Sequence, residues 1–357
     1  MTAIDPSRVQ RILIRANNWI GDVVMISPAV RAIREHFDRA RIAILAKRWV
    51  LEALRGNPYY DELFEYDSEG IHRGAAGRLR LVRELRRARF DLAILFQKAF
   101  EAAALAFLAA VPMRVGYVSD SRRLLLTHPV PLPPPETHHL EAFLGIARAL
   151  GCPVRDPYPF FHLDAEAQER ARDLLESVGR APGSPLVALH PGSSKSPRAW
   201  HAERFALLGR DLTEKVGAQI VLLGGPADEA LLEQIASSLP PPSLLLSSPN
   251  LSIREMAAIL ERCHLFVGND SGPMHVAAAL GVPTVGIFGP GSPERSSPRA
   301  REGRVQVVGK AYPCSPCRQD FFRECAPSPA GKPFCLEEIP VAEVEAAALE
   351  LLRAARA

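Results

Sequence analysis

The segment 264–275 restricts the possible folds of this chain more than any other. An apolar run, 265–267, ends in the polar turn Gly-Asn-Asp-Ser-Gly, and a helix-forming stretch follows directly. A strand that passes through such a turn into a helix directs the free N–H groups and the positive dipole end of that helix toward one point. The pattern predicts a phosphate or diphosphate site at this turn. A capped helix in an α/β domain, with no ligand, is the alternative.

Short apolar segments of the same kind recur along the chain. Each one in the second half is followed by a loop that contains glycine or proline, and helical patterns separate them. Strands that alternate with helices predict parallel sheets covered by helices on both faces, with the loops at the carboxyl ends forming one ligand-binding edge. The predicted strands are 11–15, 41–45 and 91–96 in the first half, and 186–189, 219–223, 265–267 and 284–288 in the second.

At 357 residues the chain is too long for one ordinary core, and two domains are expected. Proline becomes dense between 129 and 159, and the segment Pro-Gly-Ser-Pro at 182–185 closes a connection. We therefore predict a first domain at 1–160, a link at 161–184 and a second domain at 185–340. The remaining segment, 341–357, has the apolar spacing of an amphipathic helix.

Charge and targeting signals limit the cellular setting. Residues 1–160 contain 23 Lys and Arg against 17 Asp and Glu, so this half is the more suited to an anionic partner. No signal peptide precedes the first strand, and the apolar run 102–113 is too short to span a bilayer. We expect a cytoplasmic protein with at most peripheral membrane contact, in which the six cysteines are reduced.

The turn after the first strand carries a candidate catalytic carboxylate. Gly21 permits close approach of the backbone to a ligand, and Asp22 lies where the strand gives way to a helix. A carboxylate at this edge can act as general base toward an acceptor hydroxyl. A helix N-cap is the alternative role for Asp22.

Candidate donor-site residues follow two strands of the second half. Gly192 and Ser193 offer hydrogen-bond donors to phosphate, and Lys195 or Arg198 offers a cation, although a solvated basic loop is the alternative. Around the turn at 269–272, side chains can contact a sugar or ribose. These candidates are Asn269, Asp270, Ser271 and His275.

Several common nucleotide and metal motifs are missing from the sequence. It has no GxxxxGK[ST] segment and no strand-linked GxGxxG, so P-loop and nicotinamide-dinucleotide sites lack their central feature, and it has no metal-binding Asp-x-Asp at a strand end. One cysteine cluster can hold structural zinc or consist of reduced packing residues. It comprises Cys314, Cys317, Cys325 and Cys335, whereas Cys152 and Cys263 are isolated.

The segment 78–89 concentrates arginine on a predicted helix. An apolar stripe through Leu79, Val82 and Leu85 leaves the arginines free to meet anionic lipid or a phosphorylated glycan. A solvated helix face is the simpler alternative. Nucleic acid is not expected as a partner, because the net charge is only +3 and no recognised motif or aromatic platform is present.

These motifs, in their order and spacing, resemble glycosyltransferase family 9, and within it the lipopolysaccharide heptosyltransferases of the type II group. The resemblance covers almost the whole chain. It rests on the segments 18–25, 97–100, 111–117, 190–192, 198–200 and 269–279.

The resemblance implies a GT-B architecture: two Rossmann-like domains face each other across a cleft, and the C-terminal helix crosses back to the first. It also implies an inverting, metal-independent transfer from ADP-L-glycero-D-manno-heptose to the inner-core heptose of lipopolysaccharide, with no cofactor. The family's catalytic Asp falls on Asp22. The cation for the donor phosphates falls on Arg198, where the family usually has Lys, so Lys195 can share that role.

Further site residues are implied by the same resemblance. The family's Asp-Ser-Gly loop falls on 270–272, and its acidic nucleotide contact falls on Asp228 or Glu229. The implied donor-site residues are Gly192, Ser193, Lys195, Arg198, Asp228, Glu229, Asn269, Asp270, Ser271, Gly272 and His275. The implied acceptor-site residues are Asn18, Trp19, Gly21 and Lys98.

Two other enzymes share the expected fold. One is a family 9 glycosyltransferase with a different nucleotide sugar or acceptor. The other is a UDP-sugar 2-epimerase, which needs no acceptor.

Overall fold

The computed structural model describes residues 4–241, 244–247, 251–301, 304–317, 319–323 and 325–355. The chain divides into two compact units, Met1–His162 and Leu163–Ala357. In each unit the described strands form one six-stranded sheet, and all of the pairings between them are parallel. Both sheets have the same topology, in which the first strand of the unit lies at the centre between the second and the fourth.

The sheet of the first unit has the order β3-β2-β1-β4-β5-β6. Its central strands are buried because their residues are apolar on both faces, as expected where helices cover both sides. The strands are β1 (Arg11–Arg15), β2 (Arg41–Ala46), β3 (Glu62–Glu65), β4 (Leu92–Leu95), β5 (Met113–Tyr117) and β6 (His128–Val130).

The helices of the first unit form two layers. One core cluster contains side chains of α1 and α5, and another on the opposite face contains those of α3 and α4. The helices are α1 (Ile20–His36), α2 (Arg48–Leu54), α3 (Gly74–Arg87), α4 (Phe100–Leu108) and α5 (His139–Ala149).

The sheet of the second unit has the order β12-β11-β10-β7-β8-β9. Its inner strands β7, β8, β10 and β11 are buried along their whole length. The strands are β7 (Leu186–His190), β8 (Gln219–Gly224), β9 (Leu244–Ser247), β10 (Leu265–Asn269), β11 (Thr284–Phe288) and β12 (Val305–Gly309).

Helices of the second unit cover this sheet. They are α6 (Ala165–Ser177), α7 (Ala202–Val216), α8 (Glu229–Ala236), α9 (Ile253–Glu261), α10 (Gly272–Ala279), α11 (Pro293–Ser296), α12 (Phe334–Glu337) and α13 (Val341–Ala354). In the part of the chain that the structure describes, no helix is both long and apolar enough to cross a bilayer.

Two predicted segments differ in the structure. The predicted link, 161–184, contains α6, which packs against α9 and belongs to the second unit. The segment 341–357 was expected to return to the first domain. Instead α13 packs against α7, β11 and β12, with Val344, Ala348 and Leu351 in the core of the second unit, which corrects that prediction. Residues 356–357 lie outside the described residues.

Candidate active site

The candidate catalytic carboxylate lies at the point where the first sheet changes direction. From β1 the chain goes to β2 on one side, while β4 lies on the other, and open α/β sheets bind ligands beside such a switch point. The loop after β1 leads into α1, whose third residue is Asp22. The loop after β4 carries Lys98, so the topology brings both predicted residues to the same edge.

Asp22 is held by two neighbours. Its Oδ2 accepts a hydrogen bond from Asn17 Nδ2 at 2.9 Å, and its Oδ1 lies 3.9 Å from His139 Nδ1. The N-cap of α1 is Trp19, so the alternative that Asp22 is the cap is wrong. A partly exposed carboxylate that is oriented from one side keeps a lone pair for an incoming hydroxyl, as a general base requires.

A buried arginine fixes the loop that precedes Asp22. Arg15 is 2% exposed, and its guanidinium donates to the carbonyl oxygens of Ala16 at 2.6 Å and Leu45 at 3.2 Å. It also donates to Asn18 Oδ1 at 3.2 Å. Burial lowers the pKa of Arg15 to about 10, so the side chain remains charged at neutral pH.

The predicted acceptor-site residues have different surroundings. Trp19 is 68% exposed beside Asp22, as an aromatic side chain that stacks on a sugar must be. Lys98 is exposed, with its ammonium 5.5 Å from the centre of the Tyr117 ring. Asn18 accepts a hydrogen bond from Arg15, and Gly21 is buried in the first turn of α1. Asn18 and Gly21 therefore shape the loop.

Two residues at Asp22 and the loop before it were not predicted from the sequence. His139 is the first residue of α5, which packs along α1 and so reaches the carboxylate. Trp49, partly exposed, donates from Nε1 to Asn18 O at 2.9 Å, and the Lys47 ammonium lies 4.8 Å from its ring centre. Two features of the sequence could have indicated these residues. One is the His-His pair directly before the apolar helix α5, and the other is the Trp that follows strand β2.

The second sheet has its own switch point between β7 and β10. Asn269, at the end of β10, joins the two loops there. Its Nδ2 donates to Pro191 O at 2.7 Å, and its Oδ1 accepts from the Trp200 N–H at 2.9 Å. The side chain is fully buried and its amide is hydrogen-bonded at both ends, so Asn269 holds the two loops in position.

On the loops at this edge, three buried polar atoms have no partner among the described residues. They are Ser193 Oγ, Ser271 Oγ and Arg198 Nε. Buried polar groups normally have hydrogen-bond partners, so three unpartnered atoms on adjoining loops point to a polar ligand. Ser271 also precedes α10 without capping it, which leaves the N–H groups of Gly272 and the first turn available to an anion.

The two candidate cations differ in position. Arg198 reaches the turn after β10, where its Nη2 donates to Asp270 Oδ2 at 2.6 Å and to Asp270 O at 3.0 Å. Lys195 is exposed, and its Nζ donates instead to Gln319 O at 3.3 Å. The geometry therefore favours Arg198 over Lys195 as a phosphate ligand at this turn.

Of the two candidate acidic residues, Asp228 lies at the edge of the site. Its Oδ2 accepts from the Gly225 N–H at 2.9 Å, and a Cβ on Gly192 would lie 2.6 Å from that oxygen, so a larger residue at 192 would displace the carboxylate. Glu229 is exposed at the start of α8. His275, which was predicted to lie in the donor site, is buried in α10.

His190 ends β7 beneath this site. Its ring stacks on Phe266, and Nδ1 is buried with no partner among the described residues. Burial lowers the pKa of His190, against the opposing influence of Asp228, so the imidazole is neutral at pH 7. A neutral ring next to an anion site contributes packing and hydrogen bonding without a charge.

The cysteine cluster adjoins the same edge. Cys314, Cys317, Cys325 and Cys335 line one cavity of about 100 Å³. Ser315 Oγ donates to Gly289 O at 2.7 Å, so this segment braces the loop after β11. Among the described residues no three His, Cys, Asp or Glu side chains are placed to hold a metal ion, so the zinc hypothesis has no support from this geometry.

The sequence and fold are similar to those of known glycosyltransferases. The family model for glycosyltransferase family 9 (heptosyltransferase) matches residues 78–325. Lipopolysaccharide heptosyltransferase 2 of Salmonella typhimurium is 27% identical over 308 residues, which cover 83% of this chain and 87% of that protein.

Two solved structures have the same fold. A glycosyl transferase family 9 protein from Veillonella parvula aligns over 99% of both chains with a TM-score of 0.86 and 24% identity. The E. coli ADP-heptose lps heptosyltransferase II aligns over 98% of this chain and 100% of that chain, with a TM-score of 0.78 and 22% identity. The predicted GT-B fold class is confirmed by this likeness. The match over most of the chain shows that this enzyme belongs to glycosyltransferase family 9.

Proposed function

We propose that this enzyme transfers heptose, with inversion, from ADP-L-glycero-D-manno-heptose to the inner-core heptose of lipopolysaccharide. The relatives named above, from Salmonella typhimurium and E. coli, are heptosyltransferases by name. The observation that carries the proposal is the set of unpartnered buried atoms on Ser193, Ser271 and Arg198 beside the N-terminus of α10. Such donors suit the diphosphate of a nucleotide sugar.

In this mechanism the second unit stabilises the leaving group. Negative charge develops on the ADP diphosphate as the bond to the sugar breaks. The N–H groups of the α10 first turn, the two serine hydroxyls and Arg198 would face that charge. Because these groups are cations and fixed dipoles, no divalent metal is required for this step.

The first unit would supply the acceptor side of the reaction. Asp22 removes the proton of the attacking hydroxyl as the new glycosidic bond forms. Asn17 and His139 hold the carboxylate in place, and Trp19 and Lys98 offer an aromatic face and a cation to the acceptor glycan. The acceptor is part of a lipid, so the enzyme would work in the cytoplasm, in peripheral contact with the inner membrane.

A product analysis tests this function. The purified enzyme is incubated with ADP-heptose, UDP-sugars or GDP-sugars, with and without a heptose-bearing core acceptor, and the product is examined by mass spectrometry and NMR. We expect one added heptose, of inverted anomeric configuration, only with ADP-heptose and acceptor. Preference for another donor would contradict the proposed substrate, and conversion of a nucleotide sugar without acceptor would indicate an epimerase.

A further inference from the structure

The outward face of α4 is apolar and exposed. Phe100, Phe107 and Leu108 are 47%, 47% and 57% exposed, and their spacing places them on one side of the helix. The charged residue of this helix, Glu101, accepts a hydrogen bond from the Tyr66 hydroxyl at 2.8 Å and one from Arg78 at 2.7 Å. A helix whose side chains are apolar around its whole circumference is normally buried on every side.

A neighbouring turn extends this apolar surface. Leu124, in the turn Arg123–Leu125 that contacts α4, is 92% exposed. Arg114 ties the turn to the helix, because its guanidinium lies 5.3 Å from the centre of the Phe107 ring and donates to Leu125 O at 2.6 Å. We call the four side chains Phe100, Phe107, Leu108 and Leu124 the α4 patch.

Positive charge lies on the adjacent helix. α3 packs beside α4 on the same face of the sheet, since both contribute to one core cluster. Arg83, Arg86 and Arg87 are exposed on its outer side. Leu79, which was predicted on the buried stripe, is exposed as well, because the helix buries Leu81 instead.

We propose that the α4 patch and the exposed arginines of α3 bind the surface of an anionic phospholipid bilayer. Aliphatic and aromatic side chains that project from a surface enter the acyl boundary, while arginines beside them meet lipid phosphates. The patch has four main side chains, far fewer than the 20 to 30 residues a side of a standard protein interface. Nucleic acid would leave the leucines without a matching contact.

This inference rests on the proposed function in one respect: a lipid-borne acceptor gives an enzyme a reason to bind a bilayer. Attachment through the α4 patch would keep the first unit at the surface where such an acceptor is embedded. It would also raise the local concentration of acceptor without any change in the chemistry at Asp22.

Vesicle co-sedimentation of the full-length enzyme tests the proposal. The vesicles contain phosphatidylethanolamine with phosphatidylglycerol, or phosphatidylcholine alone. We expect the wild-type enzyme to bind the anionic vesicles, and added salt to weaken the binding. Leu108→Gln with Leu124→Gln should lower the partition coefficient at least about ten-fold, since each exposed leucine loses its apolar contact with the bilayer. Replacing Arg83, Arg86 and Arg87 by Gln should lower it about five-fold per arginine.

A matched control lies on α7 of the second unit, where Leu207 and Arg210 are exposed. Leu207→Gln with Arg210→Gln should bind vesicles as the wild type does. The inference is overturned if the wild type does not bind anionic vesicles, if it binds phosphatidylcholine equally well, or if the α4 patch variants bind unchanged. Loss of self-association in those variants, with vesicle binding intact, would instead assign the patch to a second copy of the chain.

A separate assay distinguishes this inference from the proposed function. All of these variants should keep wild-type turnover of ADP-heptose with a soluble, delipidated acceptor. Absence of turnover in the wild type would contradict the proposed function and leave the vesicle result to be judged independently. If the arginine variants raise the KM for the soluble acceptor, the arginines contact the glycan, and their assignment to the bilayer is wrong.

Discussion

The two units have sheets of the same topology but different polar groups at their switch points. In the first unit Asn17 and His139 hold Asp22, and Arg15 holds the loop before it, although Asn17 Oδ1 and Arg15 Nε themselves have no partner among the described residues. In the second unit, Ser193 and Ser271 have buried oxygens with no partner among the described residues. The same strand order thus carries an oriented carboxylate in one unit and unpartnered serine hydroxyls beside the N-terminus of α10 in the other.

This difference separates two kinds of site. A carboxylate with partners is already in position and acts on a proton, whereas unpartnered buried donors are satisfied only when a ligand arrives. The fold determines where each site lies, and the residues on the loops determine its chemistry. Substitutions in the first unit should therefore change turnover, and those in the second should change donor affinity.

The largest effect is expected at Asp22. Asp22→Asn keeps the size of the side chain and its contact with Asn17, but removes the base. Turnover should fall about 10²- to 10⁴-fold, the usual contribution of a general base. The dissociation constant for ADP, measured by calorimetry, should stay near that of the wild type.

Two results would contradict this assignment. Near-normal turnover of Asp22→Asn would exclude a catalytic role. A large loss of ADP affinity would show that the carboxylate supports the donor site, and the contrast between the two units would then fail.

Arg198→Ala should give the next largest effect. The substitution removes a charged donor and leaves the carboxylate of Asp270 unneutralised at the turn. Binding of ADP should weaken by about 1.5 to 3 kcal/mol, as for loss of a charge-assisted hydrogen bond. Isothermal calorimetry with ADP measures this, and binding of adenosine should barely change.

Lys195→Ala is the matched control, since Lys195 bonds to Gln319 and not to the turn. It should change ADP affinity by less than about 1 kcal/mol, as for other exposed charges. An equal loss in both variants would show that a diffuse positive field, and not Arg198 itself, holds the phosphates. If adenosine weakens as much as ADP does, Arg198 supports the fold.

The sequence predicted the parts that depend on local pattern. Apolar runs that end in glycine-bearing loops were sufficient to place the central strands of both sheets and the loops that carry Asp22 and Ser271. These segments could be assigned because strand, turn and helix signals follow one another within a few residues.

The sequence did not predict what depends on distant packing. His139 is 117 positions from Asp22 along the chain and comes close only because α5 packs on α1. The role of Asn269 depends on the backbone at Pro191 and Trp200. The apolar stripe of α13 indicated a buried face but not which core would bury it, and the helix was assigned to the wrong unit.

His139→Gln should have a smaller effect than either substitution above. The contact with Asp22 is 3.9 Å long and partly exposed, so His139 positions the carboxylate without taking part in the reaction. We expect kcat to fall by up to about five-fold, because a long, partly exposed polar contact is worth about 1 kcal/mol at most. KM for the donor should not change.

A readout beyond activity separates positioning from general stability. The melting temperature of His139→Gln should match that of the wild type, since the ring is partly exposed. In the Asp22→Asn background the same substitution should have no further effect on kcat, because the base is already absent. Additive losses would mean that His139 acts by itself on the acceptor.

The smallest effect is expected from metal removal. In the proposed mechanism the α10 N-terminus and Arg198 supply the positive charge that a divalent ion would otherwise supply to the diphosphate. Proton removal by Asp22 requires only that the acceptor hydroxyl lies within hydrogen-bond distance of its carboxylate. Turnover in EDTA should therefore equal turnover in buffer, measured on enzyme dialysed against the chelator. Loss of activity that Mg²⁺ or Mn²⁺ restores would show that these groups are insufficient and would contradict the metal-free mechanism.

A structural zinc ion would give a different result. The chelator would then cause a loss of folded structure, measured by circular dichroism, that only Zn²⁺ restores. This result would place the metal at Cys314, Cys317, Cys325 and Cys335, because that segment braces the loop after β11 and its unfolding would disturb the donor site.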